Sequence, residues 1–105
     1  MTRAALPDRR PALTISCEID GKPYAVTIGL YEDGRLGEIF VSAPKTDTDI
    51  GNVLRDAAII MSFAIQHGAD LDAMLAACTR DEKGRLSSII GRLAAAVVGM
   101  DEAAS

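Results

Sequence analysis

The chain has 105 residues, 49% of them hydrophobic and 25% charged, with a formal net charge of -4 and no tryptophan. At that length it holds one compact core and buries roughly two thirds of the surface its unfolded form exposes, which excludes a large catalytic barrel. The acidic balance argues against nucleic acid or an anionic membrane as the main partner, since both reward clustered Lys and Arg.

Met1 to Pro11 contains Pro7, Asp8, Arg9, Arg10 and Pro11 without periodicity, so residues 1–12 read as a flexible lead-in arm ahead of a domain over 13–100. From Leu13 to Ile19 the pattern alternates strictly. Leu13, Ile15, Cys17 and Ile19 share one face and Thr14, Ser16 and Glu18 the other, which predicts a strand with one wet face. Asp20-Gly21 supplies the backbone freedom of a tight hairpin, with Lys22 and Pro23 extending the loop. Tyr24, Val26, Ile28 and Leu30 then alternate with Ala25, Thr27 and Gly29 as a second strand. Glu32-Asp33-Gly34 marks another turn and Leu36 to Ser42 a third strand, on which Ile39 and Val41 face the core and Glu38 and Phe40 face away. Gly29 and Gly37 suggest bulges or close packing between strands. Ala43-Pro44 ends the sheet.

Thr46, Asp47, Thr48 and Asp49 crowd the approach to a helix, where short oxygen-bearing side chains cap free amides. The stretch from Asp49 to Gly68 carries Ile50, Val53, Leu54, Ala57, Met61, Ala64 and Ile65 at helical spacing, and Ile59, Ile60 and Phe63 fill its opposite side. Such a helix needs cover on more than one side, from a sheet and from further helices or a second subunit. Gly68 is placed as the residue that ends it. A short helix opened by Asp70 presents Leu71, Met74, Leu75 and Cys78 on one face. Thr79 to Arg85 reads as a polar loop. Ser87 or Ser88 opens a third helix, with a break expected at Gly91, an end at Gly99 and a disordered tail over 101–105. The fold class is therefore α+β: a three-stranded antiparallel meander, a long central helix and two shorter helices.

No run of residues is long and apolar enough to span a bilayer, and no signal core precedes Pro7, so a cytoplasmic location without membrane attachment is expected. Cys17 and Cys78 lack the CxxC spacing of a zinc knuckle or redox dithiol and read as small buried hydrophobes, and no metal or cofactor is expected. There is no GxGxxG, phosphate loop or nucleophile elbow. His67 is the sole histidine, and chemistry by the chain alone would require it to meet Glu38 in a pocket. An aromatic, Phe40, beside the carboxylate of Glu38 is a candidate contact patch, with Glu38 itself expected to be solvated or paired across the strand. Arg80, Arg85 and Arg92, with the Gly34 turn, form a candidate phosphate site for a nucleotide or, less favoured by the charge, a nucleic acid.

The strand segment Gly37-Glu38-Ile39-Phe40, preceded by YEDGRL, and the helix end SFAIQHGADL over Ser62 to Leu71 together resemble the TSCPD domain family. That domain is found at or near the C-terminus of adenosylcobalamin-dependent ribonucleotide reductases. The resemblance covers approximately Leu13 to Arg92 and rests on the order and spacing of the two segments. It implies a link to deoxyribonucleotide metabolism. The reductase barrel with its radical cysteine, redox cysteine pair and cobalamin site has no room in this chain. What the resemblance implies is an accessory or regulatory module without catalysis of its own, which self-associates or contacts a protein partner such as a ribonucleotide reductase.

Overall fold

The computed structural model describes Ala4, Leu6, residues 11–43 and residues 48–104. The expected roles of Pro44, Thr46 and Asp47 lie outside the described residues. Strands β1 (Ala12–Ile19), β2 (Lys22–Leu30) and β3 (Leu36–Ser42) are followed by helices α1 (Asp49–Gln66), α2 (Leu71–Ala77) and α3 (Ile89–Ala104). The strands form one antiparallel sheet in the order β1-β2-β3, the meander that the alternation predicts. Ile19, Tyr24, Val26, Ile28, Ile39 and Val41 are buried on its inner face, against Leu54, Met61, Leu93 and Val97 from α1 and α3.

Asp20 and Gly21 both have positive φ, 53° and 78°, and make a two-residue turn flanked by the pair Ile19 and Lys22. Lys22 and Pro23 are thus already in β2 rather than in an extended loop. Pro23 is tolerated because β2 meets β3 only from Ala25 onward, so a missing N–H there costs no bond to β3. At the other end of β2 the register slips between Gly29 and Leu30, the bulge that the glycine suggests.

α1 starts at Thr48, whose Oγ1 accepts the Gly51 N–H at 3.0 Å. It ends where Gly68 adopts φ 99°. The Gly68 N–H then reaches the Ile65 carbonyl at 3.0 Å and the Ala69 N–H reaches that of Ala64 at 2.9 Å, the paired bonds of a glycine-closed helix end. α1 lies along β3, one of the two edge strands. Ser62 Oγ accepts the Ile39 N–H at 2.8 Å, and its own hydroxyl is shared between the carbonyls of Ile39 at 3.1 Å and Ala58 at 2.7 Å. One turn on, Gln66 Nε2 donates to the Gly37 carbonyl at 2.9 Å. Both side chains are buried. An open strand edge is a hazard for aggregation, and these two polar side chains occupy it.

α3 departs from expectation in two places. Gly91 does not break it, because Gly91 lies in the first turn, where backbone N–H groups lack helical partners; its N–H goes to Ser88 Oγ at 3.0 Å. A Cβ there would also lie 3.2 Å from Leu86 Cδ2, so the glycine permits close packing of the preceding loop. Gly99 does not end the helix either. The chain continues helically to Ala104, and residues 101–104, expected as a disordered tail, form its last turn.

On α1, Val53 departs from its expected place on the core stripe. Val53, Ile59, Ile60 and Phe63 are exposed among the described residues, Ile60 at 68% of its full accessibility. The helix sits at the sheet edge with α3 on its inner side, so among the described residues its inner stripe is covered while Val53, Ile59 and Ile60 on the outer side stay largely exposed.

Candidate functional site

Three surfaces hold the residues singled out above. The first is the outer face of the sheet, where Glu38 and Phe40 stand on β3 opposite Gly29 and Thr27 of β2. Glu38 is buried to 9% exposure, which overturns the solvated one of the two readings given for it, solvated or paired across the strand. Gly29 makes room for this. With no side chain opposite, Glu38 lies flat over that α-carbon, so close that a Cβ added to Gly29 would fall 2.7 Å from Glu38 Cγ and 2.8 Å from Oε1. Phe40, at 50% exposure, is the one member of its tetrapeptide that faces solvent. Thr27 beside it pairs with Thr14 of β1 through a 2.8 Å hydroxyl contact, so Phe40 stands on a polar, ordered floor.

The second surface is the loop between α2 and α3. Asp81 organises it by accepting the N–H groups of Lys83 and Arg85, each at 2.9 Å, and Arg85 Nε at 3.0 Å, while Gly84 turns the chain with φ 80°. These bonds hold the Asp81 carboxyl below the usual carboxylate range, the Arg85 backbone N–H being the largest cause. Arg80 donates to the Gly84 carbonyl at 3.0 Å. Arg92, on α3, lies 3.9 Å from Asp20 of the first hairpin. The structure therefore gives Arg80, Arg85 and Arg92 three different protein partners. The β2–β3 turn is built on the same chemistry: Asp33 accepts the Arg35 N–H and Nε at 3.0 and 2.7 Å, and Gly34 takes φ 90°. Asp33 is likewise held below the usual range, chiefly by the Arg35 N–H.

The third surface is a cleft of about 680 Å³ between the β2–β3 turn, the end of α1, the start of α2 and the end of α3. Its lining is acidic, with Asp33, Asp70, Asp72, Asp101 and Glu102, and includes His67 and Arg35 but not Glu38. The guanidinium of Arg35 stacks over the Tyr31 ring, 4.9 Å from its centroid. Ala4 closes one side, its N–H on the Gln66 carbonyl and its carbonyl on the Tyr31 hydroxyl, both at 2.9 Å. Burial pushes the Asp101 carboxyl up, and the neighbouring charge of Asp72 adds to it. His67 turns back onto its own helix, with Nδ1 2.8 Å from the Phe63 carbonyl. His67 and Glu38 thus do not line the cleft together, and no cluster of three metal-ligating side chains occurs among the described residues. Cys17 and Cys78 are free and half-buried.

Sequence reasoning did not find Ser62 and Gln66, whose signal is a pair of polar residues at helical spacing in the otherwise apolar second half of the helix. Their bonds join Gly37 and Ile39 to the end of α1, so the two sequence segments that carry the TSCPD resemblance are bonded to each other. Comparison with known proteins agrees. The chain is 36% identical over 73 residues to a vitamin B12-dependent ribonucleotide reductase of Rhodopirellula baltica, a match over 70% of this chain and 7% of that protein. It is 35% identical over 77 residues to the reductase of the same name from Bradyrhizobium diazoefficiens, and 31% over 77 residues to that of Agrobacterium fabrum, each match covering 73% of this chain and 6% of the relative. No protein-family model and no solved structure matches the chain.

Proposed function

From its homology, as a TSCPD-like domain, to a short segment of vitamin B12-dependent ribonucleotide reductases, we propose that this chain is a non-catalytic accessory or regulatory module of ribonucleotide reduction that contacts a reductase through the outer face of its sheet. The observation that carries this reading is the division of labour within Gly37-Glu38-Ile39-Phe40. Gly37 and Ile39 bond to α1 and Glu38 packs over Gly29, all buried, while Phe40 alone is offered to solvent. A half-exposed aromatic on a rigid strand loses little conformational freedom on contact and contributes a large apolar area, the usual character of an interface anchor. The chain works, on this reading, by docking and not by bond chemistry.

The test is binding of the purified chain to an intact vitamin B12-dependent ribonucleotide reductase by calorimetry, alongside the rate of ribonucleotide reduction with and without it. Saturable binding that Phe40→Ser weakens by about tenfold or more supports the reading. Absence of binding together with an unchanged rate overturns it, as does ribonucleotide turnover by the chain alone.

A further inference from the structure

The outer stripe of α1 has a pattern of its own. Val53, Asp56, Ile60, Phe63 and His67 follow one another at intervals of three, four, three and four, the spacing of the seam along which two helices pack knobs into holes. Val53, Asp56, Ile60 and Phe63 are exposed and His67 is half-buried, while Ile59, also exposed, flanks the seam. An apolar centre with one carboxylate on its N-terminal side and one imidazole on its C-terminal side is self-complementary under a two-fold rotation.

We propose that the partner of this face is a second copy of the chain, with the two α1 helices packed antiparallel about a two-fold axis that passes between residues 61 and 62. In that register Ile60 meets the partner's Phe63 and Asp56 meets the partner's His67. Each of these pairs occurs twice. A parallel arrangement would instead set Asp49 on Asp49 and Asp56 on Asp56 and align the two helix dipoles, so charge selects the antiparallel one. The His67 bond to the Phe63 carbonyl through Nδ1 leaves Nε2 as the outward nitrogen, and in the imidazolium form Nε2–H is the donor that a carboxylate requires. Among the described residues, the charged groups that line the cleft with His67 are Asp33 and Arg35 of the turn, Asp70 capping α2 and Asp72 within it, and Asp101 and Glu102 of α3. The dimer goes beyond the reductase contact and uses a different element, so either stands without the other.

The experiment is the solution mass of the chain alone, by sedimentation or light scattering, over a range of concentrations near pH 6. The expected result is a rise from 11.1 kDa to twice that value with concentration. Ile60→Glu, at the most exposed apolar position of the seam, abolishes the rise and leaves the circular dichroism spectrum unchanged. Asp56→Lys and His67→Glu each weaken association by about tenfold, and the double variant, which restores opposite charges across the axis, recovers it to within about threefold. A chain monomeric throughout, a dimer indifferent to Ile60→Glu, or a double variant no better than the two singles overturns the proposal. Binding to a reductase is read in a separate assay, so failure of one does not imitate failure of the other.

Discussion

Replacing Ser62 with alanine removes one oxygen and strands one backbone amide. The Ile39 N–H, 2.8 Å from Ser62 Oγ, faces outward from the edge strand beneath α1, and the Ser62 side chain is itself buried. Leaving a buried donor unpaired costs about 1–3 kcal/mol, whereas alanine is the better helix former and returns a few tenths. The net expectation is a loss of about 2 kcal/mol, which in a domain of this size lowers the melting temperature by roughly 10 °C. Urea unfolding measures it as a lower midpoint with an unchanged slope, because the surface exposed on unfolding is nearly the same. Hydrogen exchange adds the local readout: the Ile39 amide loses protection ahead of its neighbours on β2. Ser42→Ala, at an exposed position of the same strand, serves as control and stays within about 0.5 kcal/mol of the parent. If Ser62→Ala also stays within about 0.5 kcal/mol and the Ile39 amide remains protected, the claim that this hydroxyl closes the edge is wrong.

Gly29→Ala forces Glu38 off the position it holds over the glycine and destabilises by about 1–3 kcal/mol, and Gly29→Ala combined with Glu38→Ser, which clears the space, recovers part of that loss in the same urea assay. Gly99→Ala acts in the opposite direction: Gly99 is helical and exposed, with nothing within 4 Å of an added Cβ, so stability rises by about 0.5–1 kcal/mol, measured as a higher urea midpoint. Asp101 has its carboxyl pKa raised by burial and then by Asp72, so its ionised form opposes folding. The penalty is absent below the ordinary carboxylate range, where folded and unfolded chains are both protonated, and complete once pH exceeds the raised value. Asp101→Asn therefore raises the melting temperature at neutral pH and leaves it unchanged in strong acid; a gain equal at both would refute the assignment.

The sheet was legible because strand alternation and the Asp20-Gly21 turn are local signals, and nothing distant overrides them. Glu38 was not, since reading a strand face as wet supposes side chains on its neighbours, and across from Glu38 stands Gly29. A glycine in one strand thereby leaves room for a side chain of another to lie flat. Gly91 misleads for a related reason. Its propensity cost is that of a helix interior, but it stands in the first turn, where Ser88 satisfies its amide and Leu86 takes the space beside it. As for the candidate site, the sequence located Phe40 on the outer face of the sheet. The acidic cleft joins residues from four separate elements, and no pattern along the chain brings Asp33, Asp72 and Asp101 together.

The orientation of α1 is the harder case, and it bears on function. Leu54, Ala57, Ala58 and Met61 line one side of the helix and Val53, Ile59, Ile60 and Phe63 the other, so burial of apolar area alone does not strongly prefer either side. Each half-exposed side chain turned inward would gain roughly 1 kcal/mol, and each turned outward in exchange would lose as much. The polar groups break the tie. Rotating α1 about its axis would draw Ser62 from Ile39 and Gln66 from Gly37, leaving a donor and two acceptors of the strand edge and the two side chains to find other partners, at about 1–3 kcal/mol for each group left buried and unpaired. Two polar residues in the helix end thus fix which apolar face is covered and which is displayed. The same two residues join the paired segments by which the chain resembles the reductase domain. That resemblance is then a statement about how α1 is held against the sheet, and a domain built this way presents an apolar helix face as a consequence of its lock.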